Sequence, residues 1–356
     1  MIPEMYESVQ KSVITEISKA TSITITTDAW TSVSNESFVG VTAHYLLENF
    51  DYQNRCLTVK HAPGSHTAES MACHLEEACD EWGINHRRSE LLPLYVVTDN
   101  AANVKKAVGM MTNTKWLSCF AHSLQLVVNK VLRLEELDEV KELLIAARSI
   151  VSHFRRSPMA TKNLEAAQKQ LNLPNHRVIQ DCATRWNSQV LMLERLIEQK
   201  PAISLVLSSV SGVKNLDGDQ WKAAELLVDA LRPFLDVTNI VSASKYPTLS
   251  MVLPLIDGLM DILQEEATAE SIPCLRAALI HEIHDRFDYI KQSEIHSIAT
   301  VVDPRYKMIP FSDDLRIMQA QNSVIVAMER AMIRSQHGYS KLHFINIGGI
   351  KYVSCP

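Results

Sequence analysis

Residues 94–132 constrain the fold of this chain more than any other stretch. A short apolar run, Leu94 to Val97, ends on Thr98 and Asp99. Tyr95, Val96 and Val97 are β-formers and the run is too short for a helix, so it reads as a buried strand. Asn100 to Met111 then reads as a helix and Lys115 to Ser118 as a second short strand. Leu124, Val127, Val128 and Val131 recur at helical spacing. Asp99 falls at the C-terminal end of its strand. In an open α/β sheet, ligands and chemistry collect at that edge.

One aspartate at a strand end is weak evidence, because Asp also caps helices and starts turns. A second stretch, Ile23 to Trp30, adds to it as another β-rich run carrying Asp28 near its end. The two-residue period puts Thr24, Thr26 and Asp28 on one face and Ile23, Ile25 and Thr27 on the other. Two strands that each deliver an Asp can set two carboxylates side by side. Mg²⁺ is held by one or two carboxylates together with waters and substrate phosphates, and two such ions can clamp an in-line phosphoryl displacement.

Four segments follow in order: Thr26-Thr27-Asp28-Ala29-Trp30-Thr31-Ser32, Thr98-Asp99-Asn100-Ala101-Ala102-Asn103, Cys119-Phe120-Ala121-His122 and Thr184-Arg185-Trp186-Asn187-Ser188. A fifth is Val302-Asp303-Pro304-Arg305-Tyr306-Lys307. Each alone is common; the ordered set resembles the hAT family of DNA transposases, and more closely its domesticated relatives, the zinc-finger BED domain-containing proteins. The resemblance covers residues 1–331 or so. It implies an RNase H-like mixed sheet interrupted by a large all-helical insertion, whereas periodicity alone gives mixed α/β.

The rest of the chain supports that order. Ile2 to Ala20 is an amphipathic helix with Tyr6, Val9, Val13 and Ile17 at three- and four-residue steps. Ile23 to Trp30, Ser37 to Leu47 and Arg55 to His61 read as three strands of an antiparallel meander. Thr67 to Trp82 is a helix with Thr67 as N-cap, Gly83 as C-cap, and Met71, Leu75, Ala78 and Trp82 as its apolar stripe. Strand signals fade after about Arg133. Leu137, Val140, Leu144 and Ala147 form one helical stripe. Met159 to Leu171, Ser188 to Glu198, Trp221 to Val241, Leu249 to Gln264 and Ile272 to Asp288 read as further helices. Pro158, Pro174, Pro201, Pro247 and Pro273 punctuate them, and residues 214–219 read as a surface loop. The expected division is an N-terminal helix (1–22), an RNase H-like domain (23–132), an all-helical insertion (133–334) and a divergent tail (335–356).

The resemblance implies roles for particular residues. Asp28 and Asp99 match the first two acids of the family's Asp-Asp-Glu metal site, which would ligate Mg²⁺ and activate water or a 3′-hydroxyl. The other reading makes both capping residues in a fold that no longer catalyses. The family's third acid lies in a C-terminal block that also carries dimerisation. No match to that block is found before the end of this sequence, and Glu329 lacks its flanking Ser and Phe. The site is therefore expected to be non-catalytic. No cofactor is expected to be required, with Mg²⁺ the metal of any residual activity. Cys119 and His122 suggest zinc, but a structural zinc takes four ligands and no second pair sits at suitable spacing. The preferred reading is a buried Cys and a His in the active-site neighbourhood. Arg185 and Trp186 could stack a base and hold a phosphate, or a buried Trp186 could anchor the insertion to the catalytic domain; both stand. Asp303 to Lys307 reads as a structural turn, and His61, His66, His281, His284 and His296 as ordinary.

The formal net charge of −6 argues against strong non-specific binding to nucleic acid by this stretch alone. The seven cysteines form no C-x-x-C pair, as expected of reduced intracellular thiols. Residues 1–21 are no signal peptide, and no run is long and apolar enough to span a bilayer. The expected function is a domesticated, DNA-associated, transcription-regulating nuclear scaffold. Its contact with DNA would come through a BED finger not found in this sequence, and full-length relatives would dimerise. The alternative is a truncated active transposase that cleaves and transfers DNA strands with Mg²⁺.

Overall fold

The meander and the two parallel strands assemble into one five-stranded sheet. The computed structural model describes residues 2–64, 66–89, 92–182, 185–242, 245–265, 272, 274–311, 313–336, 343–347 and 350–354. The chain divides into two units. The first comprises Met1–Ser123, Ala243–Ser250 and Glu294–Pro356; the second comprises Leu124–Ser242 and Met251–Ser293.

In the first unit, helix α1 (Ile2–Ser18) precedes β1 (Ser22–Thr31), β2 (Ser37–Leu46) and β3 (Tyr52–His61). β1 pairs antiparallel with β2, and β2 with β3, as the short turns require. β3 starts earlier than its apolar pattern shows, because Tyr52 to Asn54 pair with Leu46 to His44. Helix α2 (Ala68–Glu81) leads to β4 (Leu94–Thr98), α3 (Ala102–Met110), β5 (Thr114–Ser118) and α4 (Phe120–Val131), which runs across the division between the units. β4 lies parallel to both β1 and β5, giving the order β3-β2-β1-β4-β5. The fold is the expected mixed α/β sheet of RNase H-like type.

The alternation of β1 decides which side is core. Ile25 and Thr27 are buried, together with Val39, Val41, Ala43 and Tyr45 of β2 and Val96 of β4. All of these but Thr27 share one hydrophobic cluster with Val13 and Ile17 of α1, Met71 and Leu75 of α2, and Ala107 and Val108 of α3. Tyr6 and Val9 complete the α1 stripe in sequence but remain exposed. Thr67 caps α2 by accepting from the Ser70 amide at 3.2 Å. Gly83 ends it with a φ of +70°, which a side chain would resist.

The second unit is helical: α5 (Asp138–Arg156), α6 (Pro158–Gln170), α7 (Trp186–Glu198), α8 (Lys200–Leu207), α9 (Gly218–Val241), α10 (Val252–Glu265) and α11 (Leu275–Lys291) follow the end of α4. α7 packs on α9, α5 on both, α6 on α8 and α10 on α11. The α5 stripe predicted from Leu137 to Ala147 is buried throughout. α8 escapes the sequence reading because Pro201 looks like a breaker. It sits in the first turn, where its missing amide N–H costs nothing. The loop assigned to residues 214–219 is shorter than predicted. Asp217 and Gln220 form a reciprocal capping box, at 2.8 and 3.1 Å, and α9 starts at Gly218.

The chain returns to the first unit with α12 (Glu294–Val302) and α13 (Asp314–Gln336), which pack on each other. The turn between them is structural, as its sequence suggests. Asp303 accepts from Arg305 Nε at 3.0 Å and from Ser250 Oγ at 2.7 Å, and the guanidinium holds its carboxyl well below the usual carboxylate range. β6 (His343–Ile347) and β7 (Ile350–Ser354) form an antiparallel pair in the stretch expected to be a divergent tail.

Candidate functional site at the carboxyl edge of the sheet

Strand register brings the two aspartates together. Thr26 of β1 pairs with Val97 of β4; two residues on, the same register sets Asp28 opposite Asp99. Thr98 of β4 pairs with Ser118 of β5, so one residue on Asp99 comes opposite Cys119. Neighbouring strands lie about 4.8 Å apart. Asp28, Asp99 and Cys119 therefore make one row across the carboxyl ends of three strands. The row continues the sheet face of Thr24 and Thr26, opposite the face that carries the Ile25 core.

Each carboxylate is held by local backbone. Asp28 is exposed and accepts from the amide of Ala29 at 2.9 Å; half-buried Asp99 accepts from the amide of Ala101 at 3.1 Å, just before α3. Neither takes part in an ion pair, so no cationic side chain among the described residues neutralises these two like charges on adjacent strands. The backbone beneath Asp99 is well fixed. Trp116 Nε1 donates to Thr98 Oγ1 at 2.9 Å, the Cys119 amide to the Thr98 carbonyl at 2.7 Å, and Asn100 Nδ2 to Ser123 Oγ at 2.8 Å.

Cys119 reports on both acids. Burial pushes its thiol pKa up, and the charges of Asp28 and Asp99 push the same way. The amides of Ala121 and His122, at the start of α4, pull against them without prevailing. His122 is half-buried one turn along α4. Among the described residues, Cys119 and His122 join no group of three or more potential metal ligands. A hard cation fits the row better than zinc does. Asp28 and Asp99 would hold it, and a hydrated Mg²⁺ there would supply charge for a phosphoryl group.

Beside Asp28 lies an aromatic ladder that the sequence reading did not identify. Trp30 pairs with Phe38, and Phe38 with His61. Trp30 and Phe38 stack with ring centres 5.9 Å apart, and Phe38 and His61 tilt at 5.5 Å. Gly40, opposite Asp28, lies under Trp30: a Cβ there would come within 3.1 Å of the indole ring. The signal was in the cross-strand pairing, which composition does not reveal.

Arg185 and Trp186 belong to the second unit, at the start of α7. Arg185 is exposed, with no ion-pair partner among the described residues. Trp186 is 1 % exposed, and its ring is packed into the helical core. The base-stacking role set beside it in the sequence finds no open ring face here, because Trp186 is buried within the helical unit that its own helix belongs to. The histidines read as ordinary include His281. Its ring, with the Glu282 and Asp285 carboxylates, offers ligand atoms within 4.8 Å of one another. Glu282 is already bound to Lys130 at 2.5 Å and Arg286 at 3.2 Å, which compete with any metal.

Comparison with known proteins agrees with the fold. Residues 26–120 match the ZBED1 RNase-like domain and residues 117–230 the ZBED1 RNase-like helical domain. The chain is 28% identical over 326 residues to the human zinc finger BED domain-containing protein 4, covering 88% of this chain and 27% of that protein. It is 26% identical over 304 residues to the maize putative AC transposase, covering 80% and 36% respectively. It is also 24% identical over 391 residues to a putative transcriptional regulator of Talaromyces stipitatus, covering 98% and 44%. The chain thus spans less than half the length of these relatives. No helix among the described residues is long and apolar enough to cross a membrane. With both RNase-like models laid end to end along it and its two aspartates in one row at the sheet edge, the chain belongs to the hAT-transposase-like family related to the BED zinc-finger proteins.

Proposed function

We propose that the protein is a transposase-derived nuclear factor that associates with DNA and regulates transcription, and that it does not cleave DNA. The observation that carries this reading is the row of Asp28 and Asp99. It keeps the geometry of a metal-dependent phosphoryl-transfer centre but supplies two carboxylates. Two carboxylates with waters can hold one Mg²⁺, but the two-ion clamp of an in-line displacement needs further ligands. Among the described residues, the group of three potential ligands is His281, Glu282 and Asp285, none of them in that row. The names of two relatives support the rest: one is a BED zinc-finger protein and another a putative transcriptional regulator. DNA recognition would then rest with a module of the BED type, and homodimerisation with a further segment of the whole protein.

A second reading, metal-dependent strand cleavage and transfer, draws on the same row and on the likeness to a putative transposase. One experiment separates them. Purified protein, shown by circular dichroism to be folded, is incubated with linear and hairpin DNA and Mg²⁺ or Mn²⁺, beside an Asp28→Asn, Asp99→Asn double variant. The scaffold reading expects no nicking from either. Nicking that the double variant loses would establish the catalytic reading in its place.

A further inference from the structure

The meander of β1, β2 and β3 sorts its charges by face. Its Arg55 and Lys60 lie on the side of the helices, where Arg55 pairs with Glu16 of α1 at 3.0 Å and Lys60 with Glu81 of α2 at 3.3 Å. The opposite face carries Asp28 and the aromatic ladder, and no Lys or Arg of these three strands. We propose that this face docks a basic segment of a partner protein, with one arginine laid over the Trp30 indole and its guanidinium on the Asp28 carboxylate.

The face is open. Trp30 is 41 % exposed, and Val59, which pairs with Gly40, is 54 % exposed. Half-buried Phe38 and exposed His61 extend it to the edge strand β3. Cross-strand stacking by itself stabilises a sheet, and it accounts for the contact of Trp30 with Phe38. It does not account for Gly40. A Cβ there would meet the six-membered ring of the indole at 3.1 and 3.4 Å. That ring therefore lies across the cross-strand partner of Asp28, leaning back toward the carboxylate.

The charges select the occupant. Asp28 and Trp30 are two residues apart on one face, about 7 Å along the strand, a span that one long side chain covers. A guanidinium is planar and weakly hydrated, so it stacks on an indole and still gives two N–H groups to a carboxylate. Trp is the best partner for a cation among the aromatic side chains. Asp99, next in the row, offers a second carboxylate to a neighbouring basic residue. A nucleic-acid strand stacked on Trp30 would instead set its phosphates against two acids that no side chain neutralises. The inference rests on the non-cleaving reading, because it gives the row a protein partner in place of a catalytic metal.

The test uses the full chain in EDTA, without duplex DNA, so peptide binding and nicking are read separately and either can fail alone. A fluorescein-labelled 12-residue peptide of alternating Arg and Ser is followed by anisotropy at 150 mM salt, beside a copy with Lys for Arg and a 12-base single strand. The variants are Trp30→Ala, Trp30→Tyr, Asp28→Asn and Gly40→Val, each checked by circular dichroism. The Arg peptide should bind, and Trp30→Ala and Asp28→Asn should each weaken it about fivefold. Gly40→Val displaces the ring without changing charge and should weaken it about threefold, while Trp30→Tyr keeps most of the affinity. The Lys copy should bind about threefold more weakly. Affinity that Trp30→Ala leaves unchanged, or that is equal for the Lys copy, would reduce the effect to general attraction by an acidic chain and overturn the proposal. So would tighter binding of the single strand that Trp30→Ala removes, or self-association that the same variant removes, since either would give the face a different occupant.

Discussion

Two pairs of acids, one pair in each unit, are held in opposite ways. In the helical unit, Asp181 and Glu282 have side chains only 2% and 5% exposed, and each is gripped by cations: Asp181 by Arg148, Glu282 by Lys130 and Arg286. In the sheet unit, Asp28 and Asp99 stand side by side with backbone amides alone. The first arrangement satisfies the fold, because an isolated carboxylate in a core is prohibitive. The second leaves charge unspent, facing a point where a cation or a phosphate-bound metal would be welcomed. Charge that the fold has not neutralised marks the site, and charge that it has neutralised marks the scaffold.

The contrast breaks most visibly at Arg148. Arg148→Met strands the Asp181 carboxylate and should cost about 3–5 kcal/mol in urea unfolding; a loss under about 1 kcal/mol would show that Asp181 is no buried partner. A similar test exists in the returning segment of the sheet unit. His296 is buried, which lowers its pKa from 6.5 to about 4. A depressed histidine is stable as the neutral form. Its contribution is complete above about pH 6.5 and is lost as pH falls toward 4, by roughly 3 kcal/mol. His296→Leu should flatten that part of the stability–pH curve, and an unchanged slope would remove His296 as its source.

The aspartates should behave in the other sense. Replacing both, Asp28→Asn with Asp99→Asn, relieves like-charge repulsion. The melting point should hold or rise, by an equivalent of less than about 1 kcal/mol. A clear loss of stability would make them structural caps and erase the distinction between the units. The finest probe is Cys119. With both negative charges gone, its thiol pKa should drop and its iodoacetamide alkylation at pH 8 should quicken a few-fold. An unchanged rate would place the acids away from the thiol.

Much of this was legible in advance, for local reasons. The α2 stripe of Met71, Leu75, Ala78 and Trp82 is buried as its spacing requires, and the Thr67 cap forms as its chemistry requires. The misreadings were local too, but ambiguous. Pro201 breaks a helix in mid-run and starts one in its first turn. Residues 214–219 look like a loop until Asp217 and Gln220 bond each other's backbone. Tyr6 and Val9 fit an apolar stripe whose inner half alone is covered.

By itself, then, the sequence determined which segments become strands and helices, their order, and the candidate residues at their ends. Those follow from backbone geometry acting over a few residues. Tertiary structure alone decided who meets whom. The parallel register of β1 with β4 turns two aspartates 71 positions apart into one row. The packing of α7 on α9 hides Trp186. Such contacts are set by how whole faces bury against one another, which no window of sequence contains.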